Sequence, residues 1–422
     1  MDKETLSNYG WIVVLVLILA IMLALASPFG MFVSDAIKNT TQGLFDVNSS
    51  ALNTVGINPD DLSFNGSSNI TYYTIEEIEA DEHLYAIGKT KPEYVVATFN
   101  DDYTEVIITK NGDDSDGYIK DSAFYEHYNK PLFPDLKTVI IKEGILNIGQ
   151  SSFRMSSNLS KIVFPNSLTV IDEYAFLGTA ISDLTIGQEV TEIKDFAFNN
   201  CSRLKTLHIK SNVKTIGREA FKSCKNLSKV IIDDGLQNIE YEGFAFCRNL
   251  TQINLPNTIT HIDNNAFSDC YALEKIEIPN SLSLISNAMF ARCDMLTDIK
   301  LPNTITKIDD FGFFFCESLE NIELPTSIEI IGSTSFRNCI KLKEIKIPPL
   351  VKQIKEHTFR YCYELNTIYL HKNITQIDEG AFFNIDANAT IYCETEEVKN
   401  LLIKDVNYNQ ETIHIIVDTG KF

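Results

Sequence analysis

Residues 250–272 read LTQINLPNTITHIDNNAFSDCYA, and the reading of this stretch decides the rest of the chain. The same unit begins again at Leu136, Leu159, Ile181, Leu204, Leu227, Leu250, Leu273, Leu296, Leu319, Leu342 and Leu365, eleven starts in all. Nine of the ten steps between them are 23 residues, and the step from Leu159 to Ile181 is 22. Twelve residues after every start stands an Ile, from Ile148 to Ile377. Seventeen after every start stands a Phe, from Phe153 to Phe382. Within the unit, Ile253 and Leu255 alternate with Gln252 and Asn254, which predicts a short strand with one buried face. Pro follows the strand at Pro165, Pro256, Pro279, Pro302, Pro325 and Pro348, where a residue without a donor fits the exit from a ladder. A small residue often precedes the Phe (Ala175, Ala197, Ala220, Ala266, Ala381), letting the next turn of chain approach.

A period of 20–29 residues with L-x-x-I-x-L is the signature of a leucine-rich solenoid. The pattern therefore predicts a leucine-rich repeat solenoid: right-handed, with parallel short strands, in eleven 23-residue coils spanning 136–387. One coil cannot bury enough apolar surface to fold alone, so the array is a single continuous core. Residues 71–135 and 388–422 then read as N- and C-terminal caps.

Eight of the nine Cys (Cys201, Cys224, Cys247, Cys270, Cys293, Cys316, Cys339, Cys362) fall twenty residues after consecutive starts, and only Cys393 lies outside the column. Other units place Ser156, Thr179 and Ile385 there, so the position accepts a small or apolar group. The regular column reads as reduced packing groups, although strand spacing would also allow disulfides. No C-x-x-C pair or local His partner suggests a metal, and no cofactor is expected. The net charge of -21 argues against nucleic acid, whose backbone attracts Lys and Arg.

Trp11 to Ala26 is an unbroken apolar run that Phe29 to Val33 extends. Twenty-three helical residues (11–33) would reach about 34 Å, enough for a hydrocarbon core of about 30 Å. This predicts an N-terminal transmembrane helix with the acidic repeat domain outside the cell membrane. Ala24-Leu25-Ala26 before Ser27 keeps open the alternative of a cleaved signal peptide and secretion. Residues 34–70 read as a helix continuation followed by a polar linker. Thr74-Ile75-Glu76-Glu77 is a capping box, predicting a helix to about Ile87. Tyr94–Phe99 and Tyr103–Lys110 read as a hairpin that turns at Asn100-Asp101-Asp102. Asp113 to Gly117 lacks the spacing and the closing Glu of an EF-hand loop and reads as a solvated turn. Beyond Phe382, Ile391-Tyr392-Cys393 predicts one more strand in register with Ile368-Tyr369-Leu370, then a helix over 394–403 and a strand over 413–417.

The unit resembles the BspA-type leucine-rich repeat of bacterial and protozoan surface proteins. Ile322, Leu324, Pro325, Ser327, Ile328, Ile331, Gly332, Phe336 and Cys339 carry the match. That resemblance implies adhesion to host or neighbour-cell proteins and brings no catalytic residues with it. The segment Leu6-Ser7-Asn8-Tyr9-Gly10-Trp11 with its apolar run is similar to N-termini of membrane-anchored, pilin-like proteins of Gram-positive bacteria. It opens a second reading, a structural envelope subunit assembled through that helix. A hydrolase within 71–135 is a third reading, for which the stretch offers no nucleophile–base pair.

The exposed strand face should carry the residues two and four after each start: Lys275/Glu277, Asp298/Lys300, Asn321/Glu323, Glu344/Lys346 and Thr367/Tyr369. The column Glu277, Lys300, Glu323, Lys346 alternates in sign, which predicts ion pairs between neighbouring strands. Lys275, Glu277, Asp298, Lys300, Asn321, Glu323, Glu344, Lys346 and Tyr369 are the candidate protein-binding residues. Phe246, Tyr271, Phe314, Phe315, Tyr361 and Tyr363 in the Cys-bearing turn form a second candidate, against simple packing over the edge of the array. There is no Gly-rich phosphate loop, H-E-x-x-H or G-x-S-x-G, and the seven His do not cluster.

Overall fold

A computed structural model describes residues 73–113, 115–126, 130–404 and 413–422. The apolar run 11–33 and the linker 34–70 lie outside the described residues. No helix among the described residues is long and apolar enough to cross a membrane.

The repeat folds as a parallel-strand solenoid in which each coil has three hydrogen-bonded sides. The first side is the expected strand ladder. Asp183–Ile186, Thr206–Ile209, Lys229–Ile232, Gln252–Ile253, Lys275–Glu277 and Asp298–Lys300 pair in parallel, 23 residues apart in register. The second side is a ladder of two-residue strands at the Ile twelve after each start, such as Asn238–Ile239 beside His261–Ile262. Two residues per coil are too few to leave a period-2 signal in the sequence.

The third side is the turn that carries the Phe and Cys. Here Phe196, Phe198 and Asn200 donate their amides to Arg218, Ala220 and Lys222 carbonyls of the next coil, each at 2.8 Å. The amides between them, those of Ala197, Asn199 and Cys201, turn back three residues within the coil. This zigzag requires left-handed backbone at the residues fifteen and nineteen after each start, for example Phe311 (φ 60) and Phe315 (φ 59), or Thr334 (φ 60) and Asn338 (φ 62). Most of these positions are not Gly; the hydrogen bonds to the flanking coils hold them there.

The small residue before each Phe is fully buried, and its carbonyl accepts from the Phe amide of the preceding coil, as Ala175 does from Phe153 at 2.7 Å. The Phe side chains form one stack through the interior. Neighbouring ring centroids lie 4.7 to 5.8 Å apart and nearly parallel from Phe124 to Phe382.

That stack has twelve members, one more than the repeat count, because Phe124 belongs to it. Glu105–Lys110 pairs in parallel with Thr138–Ile141, and Tyr118 bridges to Asn147. The expected N-terminal cap therefore contains a coil of its own. It escapes the 23-residue period because two insertions lengthen it: Ile108 to Ile119 is four residues longer than Ile141 to Ile148, and Phe124 to Leu136 is six longer than Phe153 to Leu159. Asp113 to Gly117 lies in the first insertion. Gly117 has φ +68, and a Cβ there would stand 2.0 Å from the Gly144 carbonyl oxygen of the next coil, so only Gly fits.

The hairpin closes the start of the array as expected, with Val95–Phe99 antiparallel to Glu105–Lys110. Leu84–Ala86 adds a further antiparallel strand. The capping box is present, but the helix ends at Ala80, short of Ile87. Residues 84–86 pair with Val96–Thr98 instead, a tertiary pairing that overrides local helix preference. Ile78 packs the short helix onto Leu84 and Val96. At the other end, Thr390–Cys393 pairs with Thr367–Leu370, Glu396–Lys404 is helical, and His414–Val417 is the last parallel strand, as read from the sequence.

Both ladders lapse together at one place. Between the coils starting at Leu319 and Leu342, neither Asn321–Glu323 with Glu344–Lys346 nor Ile330–Ile331 with Gln353–Ile354 forms a regular pairing, although the Lys343 amide still donates to the Glu320 carbonyl at 3.1 Å and its side chain pairs with the Glu320 carboxylate at 2.9 Å. The turn side stays continuous there: Thr334, Phe336 and Asn338 donate to Glu356, Thr358 and Arg360 at 2.9–3.1 Å.

Candidate functional site

The strand ladder turns Ile276, Ile299, Ile322, Ile345 and Ile368 into the core and leaves their neighbours outside. Lys275, Glu277, Asp298, Lys300, Asn321, Glu323, Glu344 and Lys346 are exposed, and Tyr369 is half-buried. Register sets Lys275 opposite Asp298, Glu277 opposite Lys300, Lys300 opposite Glu323, and Lys346 opposite Tyr369. Asn321 and Glu323 belong to no regular strand and join the face only through the bridge to Lys300.

The expected ion pairs between coils do not form. Among the described residues, Glu277, Lys300 and Glu323 pair with no neighbour, and Lys346 turns to Glu344 of its own strand at 3.4 Å. Lys346 also sits 5.1 Å over the Tyr369 ring. Long side chains in water gain little from a fixed pair and lose rotamer freedom by forming one, so facing register does not become contact in this column, whereas Lys343, three residues before Lys346, does meet Glu320 of the preceding coil at 2.9 Å. The face therefore presents uncommitted charges of both signs on a backbone held by hydrogen bonds. Its C-terminal end is aromatic, with Tyr369 stacked on Tyr392 at 5.1 Å and Phe422 nearby at 6.2 Å.

On the turn side, Tyr271 donates to Asp269 at 2.8 Å and lies between Arg248 and Arg292. Phe246 faces Lys222, which bridges Glu219 and Glu242. These rings are packed into polar neighbours. Phe314, Phe315, Tyr361 and Tyr363 cluster in the later coils, with Phe311 added to them. Arg337 and Arg360 among them were missed by sequence reasoning. The signal that could have found them is the column eighteen residues after each start, which runs Phe314, Arg337, Arg360, Phe383.

The eight column Cys are buried free thiols, as is Cys393. Each column thiol donates to the carbonyl of a Phe in the preceding coil, at 3.1–3.3 Å. Thr179 stands in the same column, and its hydroxyl lies 3.2 Å from the Cys201 sulfur. Burial pushes the Cys201 thiol up to about 11 and Cys393 up to about 12. A thiol kept protonated is a poor nucleophile and metal ligand.

Among the described residues, one group of three could share a metal ion: Glu240, His261 and Asp263 on the second ladder, with ligand atoms within 4.8 Å of one another. His261 is exposed, and Glu240 and Asp263 are half-buried. Burial and the neighbouring Glu317 raise the Asp294 carboxyl, which lies on the turn side. His208, on the strand face, lies 2.9 Å from Asp233. In 73–135, a shallow hollow of about 290 Å³ is lined by Tyr85, Tyr103, Phe133, Asp102 and Asp135. Its lining has carboxylates and rings but no Ser, Cys or His.

A family model described as the BspA type leucine rich repeat region matches in six copies over residues 117–247, 214–325 and 283–407. Its first match begins inside the extra coil. No curated protein matches the chain. The crystal structure of a leucine-rich repeat protein from Bacteroides ovatus ATCC 8483 is 19% identical, covering 76% of this chain and 98% of that one, with a TM-score of 0.52. A leucine rich cell surface protein from Faecalibacterium prausnitzii A2-165 is 24% identical over 73% of this chain and 96% of its own, with a TM-score of 0.41. At these identities the first likeness speaks to the fold alone.

Proposed function

Since the chain belongs to the BspA-type leucine-rich repeat family, we propose that it is a cell-surface recognition protein that binds polypeptide partners on host or neighbouring cells. Leucine-rich solenoids serve generally as protein-interaction scaffolds. The observation that carries the reading is the row Lys275, Glu277, Asp298, Lys300, Asn321, Glu323, Glu344, Lys346 and Tyr369, whose charges are exposed and largely unpaired. A held backbone loses little entropy on binding, so modest polar contacts suffice. Copies tethered on one cell engage many ligands at once and gain avidity.

Reversing Lys300→Glu and Lys346→Glu together is expected to weaken adhesion of cells displaying the full chain by tenfold or more. Neither side chain is buried, so the melting temperature should move by no more than a few degrees. Unchanged adhesion with an intact fold would remove the strand face as the site.

Residues 11–33 are the proposed anchor, holding the repeats outside the membrane. The full chain is then expected in the membrane fraction, with protease added to intact cells releasing the repeats. A mature N-terminus at Ser27, found by mass spectrometry, would replace the anchor with secretion. The same apolar run favours a second reading, a pilin-like envelope subunit. That reading calls for polymers that dissolve when residues 1–55 are deleted, whereas an adhesin lacking them still binds its partner.

A further inference from the structure

Four coils place Phe314, Arg337, Arg360 and Phe383 one above another on the turn side. The Arg337 guanidinium lies 5.9 Å from the Phe314 ring centre and 5.5 Å from that of Tyr361. Arg360 lies 4.7 Å from Tyr361 and 5.0 Å from Phe383. Two cations in adjacent coils therefore share one tyrosine ring. Arg360 directs its outer nitrogens to His357 Nε2 at 2.9 Å and to the Tyr361 hydroxyl at 2.8 Å. Among the described residues, Arg337 has no hydrogen-bond acceptor and no ion-pair partner for its side chain, and Arg360 has no carboxylate partner either. In a chain of net charge -21 these are two guanidinium groups with no carboxylate paired to them among the described residues. Beside them, Phe311 is 39% exposed and Tyr363 50% exposed, so the cations have an apolar rim.

We propose that this patch is a second binding surface, on a different side of the coils from the strand face, and that its ligand is an acidic polypeptide segment. A carboxylate seats on the outer nitrogens of Arg337, and an apolar side chain next to it covers Phe311 and Phe314. A guanidinium held between rings is already oriented for a two-pronged contact with a carboxylate, so little freedom is lost on binding. Partial burial among rings also weakens solvent screening of the new charge pair. The rim selects polypeptide over a bare anion. A bare anion would use the charge and leave the aromatic rings wet, and displacement by heparin separates a glycan from polypeptide, whereas Arg and aromatic side chains together are the usual energetic centre of protein interfaces.

The test uses the full chain in detergent and fluorescence anisotropy with a labelled eight-residue peptide of alternating Glu and Phe. Matched Lys/Phe and Glu/Ser peptides are the controls. The Glu/Phe peptide is expected to bind at least tenfold more tightly than either control. Arg337→Gln should lose at least tenfold in affinity, with Arg337→Lys intermediate and Lys300→Glu with Lys346→Glu unchanged. Circular dichroism checks the fold of each variant, and Arg360→Gln substitutes if Arg337→Gln unfolds. Equal binding by a folded Arg337→Gln, or by the Lys/Phe peptide, overturns the proposal. So does equal binding by Glu/Ser with displacement by heparin, since the surface would then select anions and not acidic polypeptide.

Discussion

Phe290→Ala is expected to destabilise the array by about 3–5 kcal/mol, the cost of emptying a large aromatic site in a packed core. Its ring lies 5.8 Å from Phe267 and 5.6 Å from Phe313, within 15° of parallel to both, and has no solvent exposure. The substitution removes two stacking contacts and leaves a gap that flanking coils cannot close, because the hydrogen bonds of the strand and turn sides fix their spacing. Nearest-neighbour coupling makes the damage local at first. Urea unfolding should show the loss, and limited proteolysis should place the first cuts in the coils starting at Leu250, Leu273 and Leu296. Phe311→Ala, on the outside of the next coil's turn, should cost well under about 1 kcal/mol. An unchanged unfolding curve for Phe290→Ala would refute the register of the whole repeat.

Raising the pH above 9 should unfold the protein steeply while it is kept reduced. The ordinary thiol value is 9.0, whereas burial lifts Cys201 to about 11 and Cys393 to about 12, and pushes the other seven up strongly. Above pH 9 the unfolded chain therefore releases thiol protons that the folded chain still holds. Stability is complete below that value and falls as pH rises toward the folded values. The loss is about 1.4 kcal/mol per pH unit for each thiol exposed by unfolding. Because the thiols run through eight consecutive coils, cooperative opening of several exposes several at once. Circular dichroism and thiolate absorbance, recorded together between pH 8 and 11, check this. They should change in one step; thiolate appearing at its ordinary value in a chain with unchanged circular dichroism would mean that the thiols are not buried.

The core was legible because a fixed period repeats the same evidence. Each column of Ile, Phe or Cys restates the register, and the positions inferred for Ile276, Phe290 and Cys293 are all buried. What lay outside the period was not legible. The coil at 105–135 was hidden by its two insertions, although Ile119 and Phe124 keep the five-residue spacing of Ile148 and Phe153. The helix after Thr74 was read too long because its continuation pairs with a strand distant in sequence. Left-handed backbone at Phe311 or Thr334 has no sequence mark, since contacts with adjacent coils impose it.

The candidate surface was legible in position and not in pairing. Alternation placed Glu277, Lys300 and Lys346 outside, as found, but Glu277, Lys300 and Glu323 face one another without meeting, because water competes for each. The Arg337–Tyr361–Arg360 arrangement needed a column that the strand-centred reading passed over, one without an apolar period to draw attention to it.

The place where both ladders lapse gives the molecule a preferred direction of bending. An elastic rod thinned on two sides and whole on the third bends most easily about the whole side. Here the whole side is the turn, with its Phe336–Phe359 stack at 5.4 Å and three amide bonds. A load that curves the array would stretch the strand side between Glu323 and Lys346, where the Lys343 amide bond and ion pair to Glu320 tie the coils, while Arg337 and Arg360, near the pivot, keep their separation. The span from Lys300 to Lys346 is thus adjustable to the curvature of whatever it grips, and the guanidinium pair is not.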